Sequence, residues 1–200
     1  MDTDRFWTVI EAARSGGPDG KPGDKPFDEV LVDLLAALSK SDILEFQTRF
    51  DEIHDAVYRW DVWAAAYLIG GGCSDDSFID FRAGLIALGR EWYERAAADP
   101  DSLAEHPVVI EAAADGGYEA LFNEDVNYVA SRAFERVAAV GEDFYEEWKR
   151  HRSAQGESGG GGLGAGSEAD MGEDFDFDDD EEMSRRLPRL AALYLGELVV

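Results

Sequence analysis

The chain has one cysteine, Cys73, so it can form no internal disulfide. That suits a reducing compartment. No apolar run approaches the roughly eighteen residues of a membrane-spanning helix. The start, Met1-Asp2-Thr3-Asp4, is followed by Arg5 and by no apolar stretch, which does not read as a signal peptide. Together these absences predict a cytoplasmic protein. Positive charge is also scarce: 18 Lys and Arg stand against 44 Asp and Glu, a formal net charge of −26. Phosphate backbones and anionic membrane surfaces are bound by clustered Lys and Arg. Neither nucleic acid nor membrane is therefore expected as a partner. A high charge of one sign serves solubility first. It also suits another protein, of basic character, or mimicry of nucleic-acid charge.

Several catalytic patterns are missing too. There is no paired zinc spacing, no P-loop and no GxGxxG opening a helix after a strand. Gly70-Gly71-Gly72 lacks the lysine that phosphate cradles use. The alternating Asp174, Asp176, Asp178 and Asp180 resemble a calcium loop, but Asp179 stands where that loop needs glycine and Arg185 where it needs glutamate. No metal or cofactor is predicted.

What is present is apolar material in a helical rhythm. Hydrophobic residues make up 45% of the chain, with eleven Phe, seven Tyr and five Trp to fill a core. Ile43, Phe46, Phe50, Ile53 and Val57 recur at steps of three and four behind Ser39, whose spacing to Asp42 is that of a capping box. Phe6, Ile10 and Ala13 mark an earlier helix over 4–14. Phe27 to Leu38 mark another after Pro26. A fourth helix is expected with Asp61 as its cap, stopped by Gly70-Gly71-Gly72. A fifth runs from Ser74 to before Asp99-Pro100, and further helices cover about 119–139 and 142–152. Residues 100–120 show no clear period. No strand pattern and no solenoid repeat is seen. The expectation is an all-α fold, a compact orthogonal helical bundle of about seven helices.

Composition changes sharply near residue 153. Ser153 to Met183 contain no Lys or Arg and eleven acids. Residues 157–166 are mostly glycine, a flexible-linker composition. Residues 153–183 are therefore predicted to be a disordered acidic linker behind a domain of residues 1–152. Residues 184–200 form a short apolar segment with three arginines, suited to a helix that docks on the domain or on a partner. The acidity is not a property of the tail alone, since residues 1–152 hold 32 acids and 15 bases, net −17.

The candidate site lies at the corner of residues 54–90, where aromatics, small residues, three glycines and a polar cluster converge. Its members are His54, Trp60, Asp61, Trp63, Tyr67, Cys73, Ser74, Asp75, Asp76, Asp80, Arg82 and Arg90. Asp76 and Asp80 share a helix face, and with Asp75 they have the oxygens of an acid/base or hard-cation cluster. The same Ser74, Asp75 and Asp76 also sit where a helix start wants them. Cys73 precedes that helix and would need a base, for which His54 is the nearest histidine. A small buried cysteine at a tight turn is the plainer account.

The residues of this corner resemble a bacterial family catalogued as domain of unknown function 4240. The resemblance covers about residues 1–140. It rests on Phe6-Trp7, on Tyr58-x-Trp60-Asp61-x-Trp63-Ala64-Ala65-Ala66-Tyr67, on Gly71-Gly72-Cys73-Ser74-Asp75-Asp76, on Phe78-x-x-Phe81-Arg82, on Gly89-Arg90 and on Asp99-Pro100-Asp101-Ser102-Leu103. The family pattern has an aromatic near Gly84, so Ala83-Gly84 is expected to leave space beside the corner. The resemblance implies no activity. A protein-interaction or regulatory module is the leading functional expectation. The alternatives are a ligand-binding or hydrolytic domain at the corner and an acidic nucleic-acid mimic.

Overall fold

Ser39 Oγ accepts the Asp42 N–H at 3.1 Å, and Ser74 Oγ accepts the Ser77 N–H at 3.2 Å. Both serines open helices by satisfying a backbone donor that has no partner inside the helix. The computed structural model describes residues 1–16, 25–118, 120–154 and 171–196. Among these there is no strand, and there are eleven α-helices. They are α1 (Thr3–Arg14), α2 (Phe27–Ala36), α3 (Lys40–Asp55), α4 (Trp60–Gly70), α5 (Asp75–Ala87), α6 (Arg90–Ala98), α7 (Pro107–Asp115), α8 (Val129–Val137), α9 (Phe144–Ala154), α10 (Asp180–Arg186) and α11 (Pro188–Tyr194). Two 3-10 helices, Pro100–Glu105 and Glu124–Tyr128, complete the set.

The all-α expectation holds, but the count of seven does not. The predicted fifth helix is broken at Gly89, whose φ of 87° is closed to an L side chain in a helix. The chain turns there from α5 into α6. The segment 119–139 is likewise divided, into the second 3-10 helix and α8. The stretch without a clear period contains the first 3-10 helix and α7. Asp61 is not the cap of α4: Arg59 holds the cap position, and the Asp61 carboxylate lies in the first turn, bound by Arg59 Nε at 2.9 Å and Nη2 at 2.6 Å. α4 ends in a left-handed Gly71, where an added Cβ would stand 2.7 Å from the Tyr118 ring.

The core is one connected cluster. Phe6, Phe46, Phe50, Phe78, Phe81 and Phe134 are its largest fully buried apolar side chains. α3 runs through it with α1, α5, α8 and α9 against it, and α2 packs on α1 and α8. The α4 stretch Ala64-Ala65-Ala66 is wholly buried, as small side chains allow other segments to come close.

Gly84 shows the tightest approach among the described glycines. An added Cβ would lie 1.6 Å from the Leu121 carbonyl oxygen. The space expected beside Gly84 is thus taken by the Leu121 backbone, and Leu121 itself adopts a positive φ of 73°.

The expected disorder of residues 153–183 does not hold for 171–183. Ser153 and Ala154 end α9, and residues 155–170 lie outside the described residues. From Met171 the chain lies along the domain. Two phenylalanines in the acidic block, Phe175 and Phe177, pack against the core cluster, and Met183 is fully buried. Composition averages missed these apolar anchors. α11 then packs against α4, α7 and the first 3-10 helix, burying Leu187, Leu190 and Ala191.

Candidate functional site

α4 and the start of α5 present an aromatic column. Trp60 and Trp63, three residues apart on α4, stack with centroids 5.4 Å apart, and Trp63 stacks on Phe78 of α5 at 4.7 Å. The Trp63 indole N–H donates to the Cys73 carbonyl at 3.0 Å, which fixes the ring against the Gly70–Ser74 turn. Behind the column lies Arg82, only 1% exposed. Its guanidinium sits over the rings of Tyr58, at 4.7 Å, and Phe78, at 5.0 Å, and Nη1 donates to the His54 carbonyl at 3.1 Å. The nearest carboxylate, Asp55, is 3.7 Å away. Two aromatic faces and one carbonyl solvate the guanidinium in part, its Nε being buried without a hydrogen-bond partner, and burial brings the Arg82 pKa down to about 10.

Most of the proposed chemical cluster does not assemble. Ser74, Asp75 and Asp76 are exposed, with Ser74 capping α5 and the two aspartates in its first turn. Asp80 turns elsewhere: its Oδ1 accepts Asn127 Nδ2 at 2.9 Å, and its carbonyl accepts the Asn123 N–H. Burial and the neighbouring Glu124 raise the Asp80 pKa. Among the described residues no group of three His, Cys, Asp or Glu could hold a metal ion. Arg90 belongs to the junction with α1, paired with Asp4 at 2.7 Å and Glu94 at 2.6 Å.

Cys73 and His54 do not form a nucleophile and base. The Cys73 thiol points to its neighbour's carbonyl, and burial pushes its pKa up to about 12. His54, 2% exposed, lies with Nε2 3.0 Å from the Ile79 carbonyl, so that nitrogen carries the proton. Burial and the Arg82 charge bring the His54 pKa down to about 3. It is a neutral core histidine. Of the corner's members, Trp60 stacks on Trp63, Trp63 meets the Cys73 carbonyl, and Arg82 meets the His54 carbonyl.

That aromatic column is occupied by the chain's own tail. The Phe177 ring lies 6.0 Å from Trp60, 6.5 Å from Trp63 and 5.5 Å from Tyr67. The Trp60 backbone N–H donates to the Met171 carbonyl at 3.0 Å, and the Tyr67 hydroxyl donates to Asp178. Within the tail, Arg186 covers the Phe175 ring at 4.1 Å and pairs with Glu173 and Glu182. The tail thus neutralises part of its own acidity while it lies on an acidic domain.

A second contact was not among the candidates. Asp101, in the first 3-10 helix, is 4% exposed. Its carboxylate accepts the backbone N–H of Arg189 at 3.1 Å, that of Leu190 at 2.9 Å, and Arg189 Nε at 2.9 Å. Arg189 also donates to Glu105 at 2.6 Å and pairs with Asp99. Tyr194 closes the far end of α11 through the Val109 carbonyl at 3.3 Å. Sequence alone pointed to Asp99-Pro100-Asp101 only through the family resemblance. An arginine heading an apolar segment in so acidic a chain was the readable half of the pair.

Residues 1–136 match the family described as Protein of unknown function (DUF4240), and the chain belongs to that family. No curated protein and no solved structure gives a match. Trp60, Trp63, Tyr67, Asp99, Asp101 and Glu105 all lie inside the matched residues, and the segment that covers them lies outside.

Proposed function

We propose that this protein is a protein-interaction module of regulatory type, whose receptor face is the aromatic column of α4 together with the acids of the first 3-10 helix. One observation carries the reading. Among the described residues, every hydrogen bond accepted by the nearly buried Asp101 carboxylate comes from Arg189 and Leu190 of the C-terminal segment. A carboxylate so far from water needs such donors. The family-matched domain therefore has a place shaped for a peptide segment, and here that segment is supplied in cis. No comparable convergence of reactive groups supports a hydrolytic reading at the corner.

The test uses the full chain with its own segment released by Arg189→Glu and Leu190→Asp. A labelled peptide of residues 171–196 is titrated into this variant and into the unaltered chain. The variant is expected to bind at least tenfold more tightly, with a change in tryptophan emission as Phe177 seats on Trp60 and Trp63. A folded variant that ignores the peptide would refute the receptor reading.

A further inference from the structure

The receptor face carries a charge pattern that says what it takes. Asp99, Asp101 and Glu105 surround one guanidinium, that of Arg189, and each contributes an oxygen to it. Directly behind the guanidinium, Leu190 and Ala191 enter the apolar seat, 0% and 3% exposed. The seat is thus read in order: a cation first, then apolar side chains on a helix. Glu105 also pairs with Arg95 of α6, whereas among the described residues Asp99 and Asp101 have Arg189 as their cation partner, so without it these carboxylates repel each other. The whole chain, at net −26, favours an oncoming segment of positive charge through its long-range field. A second copy of the chain would bring the same charge against it.

We infer that the α4 and 3-10 face is a docking site for an apolar helical segment of another protein headed by arginine, and that residues 171–196 occupy it as an autoinhibitory mimic of that partner. The inference rests on the receptor reading above and names the partner for it. The segment is joined to the domain through residues 155–170, whose composition is that of a linker. A linker of that composition holds a tethered ligand at an effective concentration on the order of millimolar. A free partner at micromolar level must then bind on the order of a thousandfold more tightly than the tail does, or the tail must first be released. Release also uncovers Trp60, Trp63 and Tyr67, so the same event gives the partner a second, aromatic foothold.

The experiment uses synthetic helical peptides unrelated to the tail. They carry arginine at the position of Arg189 and leucine at the positions of Leu190 and Leu193. Control peptides have glutamate in place of that arginine. Binding is measured to the full chain and to the full chain with Arg189→Glu and Leu190→Asp. If far-UV circular dichroism shows the double variant unfolded, Arg189→Glu alone is used. The expected result has three parts. The opened chain binds the arginine peptide at least tenfold more tightly than the unaltered chain does. It prefers arginine over glutamate at least tenfold. Adding Asp101→Asn to the opened chain removes most of that preference. An opened chain that binds the 171–196 peptide but treats arginine and glutamate peptides alike overturns the partner inference and leaves the receptor reading standing. An opened chain that binds neither overturns both. An unaltered chain found as a tail-exchanged dimer makes a second copy the occupant, and it too overturns the inference.

Discussion

Asp101 Oδ2 accepts Arg189 Nε at 2.9 Å across 88 residues of chain, joining the domain to its C-terminal segment. The Arg189 side chain is 42% exposed, so water weakens the purely ionic part of the contact. The two backbone N–H groups held by the same carboxylate are better shielded, and they lose their acceptor if it is removed. Asp101→Ala is therefore expected to weaken tail docking by about 2 kcal/mol. Hydrogen exchange of the α11 amides would rise on the order of thirtyfold, with little change in α3. Asp101→Asn keeps an acceptor oxygen and should lose less. Unchanged exchange in α11 after Asp101→Ala would show that the apolar seat alone holds the segment.

Phe177 is the tail's ring contact with the tryptophan pair, beside the Met171 carbonyl that accepts the Trp60 backbone N–H. Its removal in Phe177→Ala takes an aromatic partner from Trp60, Trp63 and Tyr67 at once. A loss of about 1 kcal/mol in tail docking is expected. The tryptophan emission should shift to the red as water reaches Trp60 and Trp63. Because Phe78 supports Trp63 from the other side, the α4–α5 packing itself should stay intact.

Periodicity was a sound guide wherever a helix has a single buried stripe. The Ile43, Phe46, Phe50, Ile53 repeat and the Ser39 and Ser74 caps are all in place. It was a poor guide where one backbone angle decides, as at Gly89, or where a short 3-10 helix opens at Pro100. The corner was legible as an aromatic cluster around Trp60 and Trp63. Its polar half was not, because Asp75 and Asp76 serve a helix start and leave the chemistry of that corner without its acids. The tail was misread for a related reason. Mean composition weighs eleven acids in residues 153–183 but says nothing of two phenylalanines that meet a prepared aromatic surface. Asp101 could not be found from its own neighbours in sequence, since its partner lies 88 residues away.

Gly84 cannot take a side chain without moving Leu121. Gly84→Ala would place a carbon 1.6 Å from the Leu121 carbonyl oxygen, and backbone is the least yielding of neighbours. A destabilisation of about 3 kcal/mol or more is expected in urea unfolding. An unaffected midpoint would mean that the 120–123 segment can move away at little cost, and its approach to α5 would then have no structural weight.

Cys73 should be a slow thiol. With burial pushing its pKa up to about 12, almost none is thiolate at neutral pH. Alkylation by iodoacetamide in the folded protein is expected to be at least a hundredfold slower than in the urea-unfolded chain. Reaction at the unfolded rate would return Cys73 to consideration as a nucleophile.

Two buried groups set opposing pH trends. Burial raises the Asp51 pKa from 3.8 to about 7, with Asp55 and Glu52 adding to the rise and the Gln47 hydrogen bond and Arg152 opposing it. A carboxylic acid with a raised folded pKa contributes fully below 3.8, and its contribution is lost as pH climbs to 7. His54 has the opposite sign. Its pKa is brought down from 6.5 to about 3 by burial and by Arg82, against the hydrogen bond to Ile79. Its contribution is complete above 6.5 and is lost as pH falls toward 3. Between about pH 4 and 6.5 the two slopes cancel, leaving stability nearly flat as far as these groups decide it. Asp51→Asn removes only the falling limb. The variant should therefore gain stability over the unaltered chain as pH rises through that window, by up to ~1.4 kcal/mol per pH unit, and the gap should level off above pH 7. Urea unfolding of both chains at intervals from pH 4 to 8 reads this difference directly. A gap that stays constant across the series would mean that the Asp51 carboxylate is solvated in the folded protein.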